Sequence, residues 1–477
     1  MLLPNAPECL RHQGRKTEGM PSTGECVPFS RGAALLPPVA VLNQQAGFLG
    51  SVYDRNGDSR FLYRAIEVAQ QASTSITEDD PHQPIIQVNL AGLFGKKYYL
   101  TNDPEDLRCG IEHGQKAVAT IANSHPYRAG MQSTLAKLLK TLFLHLGNPQ
   151  DLKRAIEISQ EVVSATDDVD RERADRLCDF GTLLWMRARM TGDLEDVKMA
   201  IKKAEQAKDL APNEKVKARA LSDLGNFLWS RFNAVGDLDD LHAAIDYAKS
   251  ALDLTPLEDF ANRPGRIENL GVLFFARFQR IGDIDDVERA ILTGREAVEV
   301  TKHEHPARAA RLGDLATIMA AKFGRTKNLT DLEEAIHLGN EALEAAQDNS
   351  PNRPTLLNNM SAFWGIKFQN TREPKDLDEA IRYAEEAVSA TLENHTEQAS
   401  RLGNLGAFWG LKFGQTGDLA DLDHAIARSN EAVQATPKDH PDQAGRPVYT
   451  GSSAIKASRE LEQLAPTTQN TGSTASG

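Results

Sequence analysis

The sequence repeats itself about every 45 residues, and this period constrains the fold more than any other feature. Its clearest anchor is a Leu or Val, usually after Asp, with a small residue three positions on and an apolar residue four positions on. The gaps between successive anchors are all 44 to 46 residues, and the anchors are Leu62, Leu107, Leu152, Val197, Leu241, Val287, Leu332, Leu377 and Leu422. A register kept over nine copies indicates one supersecondary unit used nine times.

Each copy has the pattern of two amphipathic helices. In one copy, a first apolar stripe runs from Leu221 to Phe232 at i, i+3, i+7 and i+11, and a second runs from Leu241 to Leu252. Between them lie Gly236 and Asp237, a break followed by a good N-cap, with Asp240 placed to complete a capping box. One helix pair cannot bury both stripes, whereas stacked pairs can. The pattern therefore predicts an all-α, α–α superhelix of about nine helix pairs.

Small residues recur at one position of each helix and predict close helix packing. In the first helix this position holds Gly181, Gly225, Gly271 and Gly406, with Ala316 and Ser361 in other copies. In the second helix it holds Ala200, Ala244, Ala290, Ala335, Ala380 and Ala425. A bulky side chain at either position would push the two helices apart.

The repeat array is predicted to span residues 35–446. Residues 1–34 have no period and are expected to be a disordered tail, and residues 447–477 are expected to hold a capping helix at about 452–464 and a flexible end. The entry to a tenth copy is present up to Arg446, but Pro447 stands where the earlier copy has Leu402. Two explanations remain open: an array that lost its downstream part, or a gene model that misreads an intron near codon 446.

The order of small and large residues resembles the tetratricopeptide repeat (TPR), although the period exceeds the usual 34. The wording HPARAARLGDLATIMAAKF from His305 and GDLADLDHAI from Gly417 is similar to repeats of fungal TPR proteins. In that family such arrays often accompany a caspase-like CHAT domain or a nucleotide-binding switch domain, and act as the sensing or docking half. The resemblance implies the same role here, although neither companion domain is visible in this sequence.

Composition and motifs restrict the function classes. The formal net charge of −13 is expected to repel nucleic acid, and no apolar run is long enough for a membrane span, so neither partner is predicted. The four cysteines form no CxxC pair, and no catalytic, cofactor or metal motif occurs. His125, His305, His395 and His440 are spaced by whole repeats, which favours a capping role over catalysis. We expect a protein of the cytoplasm, or alternatively the nucleus.

Candidate binding residues follow from the resemblance, because the first helix of each TPR pair lines the concave groove. The groove position five residues after the Leu224-type leucine holds Trp185, Trp229 and Phe275 in three consecutive copies. Such an aromatic ladder over part of the array is predicted to be a local binding patch. The alternative is that these rings pack on adjacent helices.

Polar ladders lie beside these rings. The position before the leucine holds Asp223 and Asn269, and the position seven after it holds Arg231 and Arg277. The basic ladder could bind an acidic segment, but pairing with the Asp240-type carboxylates of the same array is the favoured interpretation. Asn226 and Asn269 match two positions of the TPR clamp for a C-terminal carboxylate. The positions where that clamp needs basic residues are not basic here, so an acidic C-terminal tail is a doubtful ligand.

The sequence thus predicts a non-catalytic interaction scaffold that binds a protein or peptide partner. Two alternatives stay open: an accessory protein of a fungal biosynthetic pathway, and an enzyme with a site built from groove residues. The enzyme is disfavoured because such a site should break the repeat with a unique acid–base or metal cluster, and the sequence shows none.

Overall fold

The computed structural model describes residues 38–435 except 168, 260, 304, 306, 348, 349, 392–394 and 396. The predicted tails at 1–34 and 447–477, the capping helix at 452–464, and the ends of the predicted array lie outside the described residues. The chain divides into two compact units, residues 1–277 and 278–477. Each unit has helix pairs and buried residues of its own.

Unit 1 consists of consecutive helix pairs. Its helices are α1 (Pro38–Asn56), α2 (Ser59–Thr74), α3 (Gln83–Thr101), α4 (Pro104–Thr120), α5 (Arg128–Leu146), α6 (Pro149–Ala165), α7 (Arg173–Thr191), α8 (Leu194–Leu210), α9 (Glu214–Val235), α10 (Leu238–Asp253) and most of α11 (Arg263–Ile281). Each helix packs against the next, and first helices of neighbouring pairs also meet, as α5 meets α7 and α7 meets α9. These contacts bury the apolar stripes that one pair leaves open.

Unit 2 repeats the same arrangement. Its helices are the end of α11 together with α12 (Ile284–Glu299), α13 (Arg308–Thr326), α14 (Leu329–Ala345), α15 (Arg353–Thr371), α16 (Pro374–Ser389), α17 (Gln398–Thr416) and α18 (Leu419–Gln434). The eighteen helices of the described residues match the nine predicted pairs. The predicted all-α fold, a TPR-like repeat of helix pairs, is confirmed.

The anchor residues form the core of the second helices. All nine are buried, from Leu62, Leu107, Leu241, Val287 and Leu332 at 0% exposed to Leu422 at 8%. Burying one such side chain contributes about 1.5–3 kcal/mol relative to leaving it exposed. The periodicity that defined the repeat is therefore the periodicity of the buried face.

The small residues of the two helices face each other within a pair. A Cβ added to Gly225 would lie 3.2 Å from the backbone oxygen of Ala244, and one added to Gly181 would lie 3.3 Å from that of Ala200. Ala200 and Ala244 are themselves fully buried. The predicted close approach is confirmed, because a larger residue on either side would meet backbone.

The turn inside each pair uses a left-handed residue followed by an N-cap. Gly236 ends α9 with φ of 82° and donates its backbone N–H to Phe232, and the Asp237 carboxylate then accepts the backbone N–H of Asp239. The predicted capping box does not form, because the Asp240 carboxylate instead binds Arg231. Asn102, Lys327 and Arg372 hold the same left-handed position in other copies without being glycine.

Loops between pairs are fixed by repeated arginine and histidine bonds. Arg176 donates to the Thr166 hydroxyl at 2.9 Å, and Arg266, Arg311 and Arg401 make the same bond to Thr255, Thr301 and Thr391. His125, His305 and His395 each accept a backbone N–H two residues on, at 3.1–3.2 Å. These histidines therefore stabilise the turn before each first helix, but the predicted cap does not form, because the first turns of these helices have no side-chain cap bond. His440 lies outside the described residues.

No helix within the described ranges is long and apolar enough to cross a membrane.

Candidate functional site

The predicted aromatic ladder divides between half-buried and buried rings. Trp185 on α7 and Trp229 on α9 are half-buried, whereas Phe275 on α11 is only 6% exposed. An exposed face shared by all three rings is therefore wrong for Phe275, which is a core residue. The register placed the three rings at equivalent positions, but burial also depends on the side chains that the neighbouring helices bring to that position.

Trp185 and Trp229 differ in what their indole nitrogens meet. Trp185 Nε1 donates to the Ser230 hydroxyl at 2.6 Å, which ties α7 to α9, and its ring packs beside Phe227 at 5.9 Å. Trp229 Nε1 is buried and has no hydrogen-bond partner among the described residues. Ala276 stands where α9 has Ser230, so the next first helix offers no hydroxyl. Part of the ladder thus links helices, as the packing alternative proposed.

The basic ladder is paired inside the array. Arg187 donates twice to Asp196, both at 2.6 Å, and Arg231 bonds Asp240, with 2.7 Å for the Nε bond. Lys97 bonds Asp106 at 2.6 Å, and in unit 2 Lys322 and Lys367 lie 3.8 and 3.6 Å from Asp331 and Asp376. These carboxylates are buried, so each pair neutralises a charge that would be costly alone. The structure therefore shows the favoured alternative, and Arg231 is not free to receive an acidic segment.

Arg277 and the two candidate asparagines lie in different surroundings. The Arg277 guanidinium carbon lies 5.9 Å from the ring centroid of Phe274. Asn226 on α9 and Asn269 on α11 are both half-buried. The equivalents of Asn269 in unit 2 bond to neighbouring first helices, as Asn404 does to Asn358 at 3.0 Å. The candidate site residues therefore do not form one cluster.

The charged residues that do cluster lie on α5, α7 and α9. The Arg219 guanidinium bonds Asp179 at 2.6 Å and Asp175 at 3.0 Å, and Lys137 on α5 lies 3.3 Å from Asp179. Asp223, one turn after Arg219, is 4.0 Å from its Nε. Only Asp223 of these residues was a sequence candidate. The cluster joins three consecutive first helices through side chains alone.

Asp179 and Asp223 occupy equivalent positions but titrate in opposite directions. Burial would raise the pKa of Asp179, but Arg219 and Lys137 hold that pKa at about 2. Burial raises the pKa of Asp223 to about 6, since Arg219 only partly opposes it and the Asp179 charge adds to it. The Oδ2 atom of Asp223 is buried with no hydrogen-bond partner among the described residues. The Asp179 carboxylate is therefore stabilised by its basic neighbours, whereas burial destabilises the charged form of Asp223.

Cys178 and Lys140 border the same cluster. Cys178 is fully buried on α7, and burial raises the pKa of its thiol. Lys140 is half-buried on α5, and burial lowers the pKa of its ammonium while Asp179 opposes that shift. We call the following polar and aromatic side chains of these three helices, all half-buried except the exposed Lys137, the unit 1 face: Lys137, Lys140, Asp179, Trp185, Arg219, Asp223, Asn226 and Trp229.

Sequence reasoning missed Lys137, Lys140 and Arg219, although a signal for them was present. Lys140 stands at the Trp185 position of its copy, and Arg219 stands at the Asp175 position of the next. Both break the repeat, and each becomes visible once the first helices are aligned with one another. The net charge of the whole chain does not reveal that Lys140 and Arg219 differ from the residues at the same position in other copies.

Charge is also segregated between the two helices of the pairs. From α3 to α17 every first helix has more Lys and Arg than Asp and Glu, whereas no second helix from α4 to α18 has a basic excess. A net charge of −13 therefore hides a set of basic first helices. Average charge says little about what the first helices can meet.

Comparison with known proteins finds relatives only among solved structures. No protein-family profile matches the chain, and no curated protein matches it. Similar structures include human IFIT1 as a dimer with m7Gppp-AAAA, at 14% identity and a TM-score of 0.42, covering 90% of this chain and 83% of that one. RapI in its apo form has 10% identity and a TM-score of 0.46, covering 83% and 97%.

A third similar structure is the C-terminal part of a TPR repeat-containing protein from Cytophaga hutchinsonii. It has 15% identity and a TM-score of 0.39, covering 67% of this chain and 99% of that one. At such low identity these neighbours assign no ligand to this chain.

The prediction that nucleic acid is excluded as a partner is wrong. Human IFIT1, a structure similar to this chain, was solved with the capped oligonucleotide m7Gppp-AAAA. The physical error was to argue from net charge, because the first helices are basic although the chain as a whole is acidic.

Proposed function

We propose that this protein is a non-catalytic repeat scaffold whose unit 1 face binds a segment of another protein. One observation carries the proposal: on the unit 1 face charged residues break the repeat, with Lys140 at the Trp185 position of its copy and Arg219 at the Asp175 position of its own. Elsewhere the recurrent charges have partners within the array, as Arg187 has Asp196 and Lys97 has Asp106. On this face Asp223 Oδ2 and Trp229 Nε1 are buried without one among the described residues.

The mixed character of the face suits a protein segment. A peptide backbone supplies N–H and C=O groups for the half-buried Asn226 amide, and its side chains can pair with the charged groups of the face. The half-buried rings of Trp185 and Trp229 offer apolar area of the kind that dominates protein interfaces.

Site-specific photocrosslinking tests this proposal. A photoreactive phenylalanine analogue replaces Asn226 on the unit 1 face, and a matched protein carries it at Lys153, exposed on the second helix α6. After irradiation in an extract of the source cells, we expect a discrete protein adduct from position 226 and none from position 153. The same adducts from both positions, or none from either, would contradict binding at this face.

The finer family assignment is part of the proposal. We propose that the array is the docking half of a fungal system in which a CHAT or nucleotide-binding switch domain acts in trans, in the cytoplasm or nucleus. The support is the resemblance of the repeat sequences that begin at His305 and Gly417 to the repeats of fungal TPR proteins. The identity of the crosslinked protein tests it: a partner without either domain would remove this part and leave face binding intact.

A further inference from the structure

A small cavity lies between α5, α6 and α7 in unit 1. Its volume is about 10 Å³, and its polar lining comes from Ser133, Lys137, Lys140, Ser159, Arg176 and Asp179. A cavity of this size accommodates about one water-sized group. The cavity contacts three helices of two consecutive pairs, and its lining contains more hydrogen-bond donors than acceptors.

The acceptor in this lining is already used. The Asp179 carboxylate accepts a hydrogen bond from the Arg219 guanidinium at 2.6 Å and lies 3.3 Å from the Lys137 ammonium. Arg176 is held by Thr166, Asp170 and Glu172 through its terminal nitrogens, at 2.6–2.9 Å. The lining therefore offers no spare carboxylate to a further cation.

Two donors in the lining have no partner among the described residues. Lys140 is half-buried, and no carboxylate of the described chain lies within 4 Å of its ammonium, whereas Lys97 and Lys137 each have one. The Nε of Arg176 is buried without an acceptor. Lys140 thus has the Asp179 charge in its surroundings but no direct ion pair, whereas the recurrent charges of the array are paired directly.

We propose that this cavity binds a small monovalent anion, either a halide ion or one oxygen of a carboxylate group that lies at its mouth. The Lys140 ammonium, the Arg176 Nε–H and the Ser159 hydroxyl are the donors, and the anion supplies the charge that Lys140 lacks. The size of the cavity excludes sulfate and larger anions. Burial lowers the pKa of Lys140, and a bound anion would oppose that shift.

The site does not depend on the proposed function. A free anion fills the cavity whether or not the unit 1 face binds a protein. A carboxylate of a partner provides the same chemistry from a second source. The experiment therefore compares a halide with a carboxylate.

The test is thermal unfolding of the full chain at pH 7 and constant ionic strength, with sodium sulfate replaced stepwise by sodium chloride or sodium formate. A ligand that binds only the folded state raises Tm in a saturable way, here by about 2 °C. Lys140→Met should lose the saturable response, because the charge that selects the anion is gone. Lys153→Met, which removes an exposed lysine of α6, should keep it.

Outcomes separate the sources and can overturn the site. A response to both anions means that a free anion suffices, and a response to formate alone identifies a carboxylate site. If wild type shows no saturable response, or if all three proteins respond alike, the site does not exist. Should Lys140→Met fail to fold by circular dichroism, Lys140→Gln replaces it, and chloride-35 line broadening reports binding without unfolding.

Discussion

Arg187, near the end of α7, clasps Asp196 of α8 through two hydrogen bonds of 2.6 Å across the turn that joins the helices. Asp196 is buried, while the Arg187 side chain is 39% exposed. The carboxylate therefore depends on this arginine for its charge balance. The equivalent pairs at Arg231 and Lys97 make the same contact, so the bond closes the helix pair in several copies.

Arg187→Met should destabilise the protein by about 2 kcal/mol, because removing one partner leaves a buried carboxylate uncompensated. Chemical denaturation followed by circular dichroism measures the change. Lys412→Met is the matched control, because Lys412 pairs with the exposed Asp378. The carboxylate at the position equivalent to Asp196, Asp421, accepts a hydrogen bond from the Thr416 hydroxyl at 2.6 Å instead. The cost of Lys412→Met should stay below about 1 kcal/mol. Equal costs would show that the clasp is not the stabilising element.

Asp223→Asn should stabilise the protein more at pH 7.5 than at pH 4.5. The pKa of Asp223 is raised from 3.8 to about 6, so the folded state holds a proton that the unfolded state has lost, and stability falls as pH rises from about 4 through 6. Neutral asparagine removes this loss, about 2 kcal/mol between the two pH values. Lys140, Cys178, Asp179, Arg219 and Arg266 are the charged and titratable groups facing Asp223.

Unfolding free energies of the two proteins from pH 4.5 to 7.5 provide the measurement for Asp223. Asp179→Asn is the contrasting variant, because Asp179 has a pKa of about 2 and stabilises above about pH 4. That variant should destabilise across the whole range. A pH-independent effect of Asp223→Asn would contradict the raised pKa.

Ser230→Ala should destabilise by about 1 kcal/mol, because Trp185 Nε1 loses its acceptor while staying buried beside Phe227. Ala276→Ser is the converse change, since it places a hydroxyl at the equivalent position for the unpaired Trp229 Nε1. It should be neutral or stabilising by up to about 1 kcal/mol. Tryptophan fluorescence during denaturation measures both. A destabilising Ala276→Ser would mean that Trp229 does not face that position.

Lys327→Gly should stabilise by about 0.5 kcal/mol, because Lys327 holds a left-handed backbone with φ of 59° that glycine adopts without strain. Gly236→Ala is the reverse test at φ of 82°, and should cost about 1 kcal/mol. Thermal denaturation of each variant against wild type decides. If both changes destabilise alike, backbone strain at this turn is not what sets its residue preference.

Much of the fold followed from residue spacing, because spacing records which side chains are buried. Leu241 and Ala244 predicted the buried face and the close approach, and both are at 0% exposure. Phe275 was misjudged because its register matches Trp229 while its burial depends on side chains of other helices. Lys140 and Arg219 were missed because their meaning appears only when helices far apart in sequence are placed side by side.

The central claim is that the unit 1 face binds a protein partner. Its most direct measurement is the affinity of the protein crosslinked at position 226 for three chains: wild type, Asn226→Ala with Trp229→Ala, and a control with Lys153→Ala and Lys202→Ala on second helices. Helicity of each chain is checked first. We predict at least about a tenfold rise in Kd for the face variant, equal to about 1.4 kcal/mol, and no change for the control. Unchanged affinity of a well-folded face variant would contradict the account.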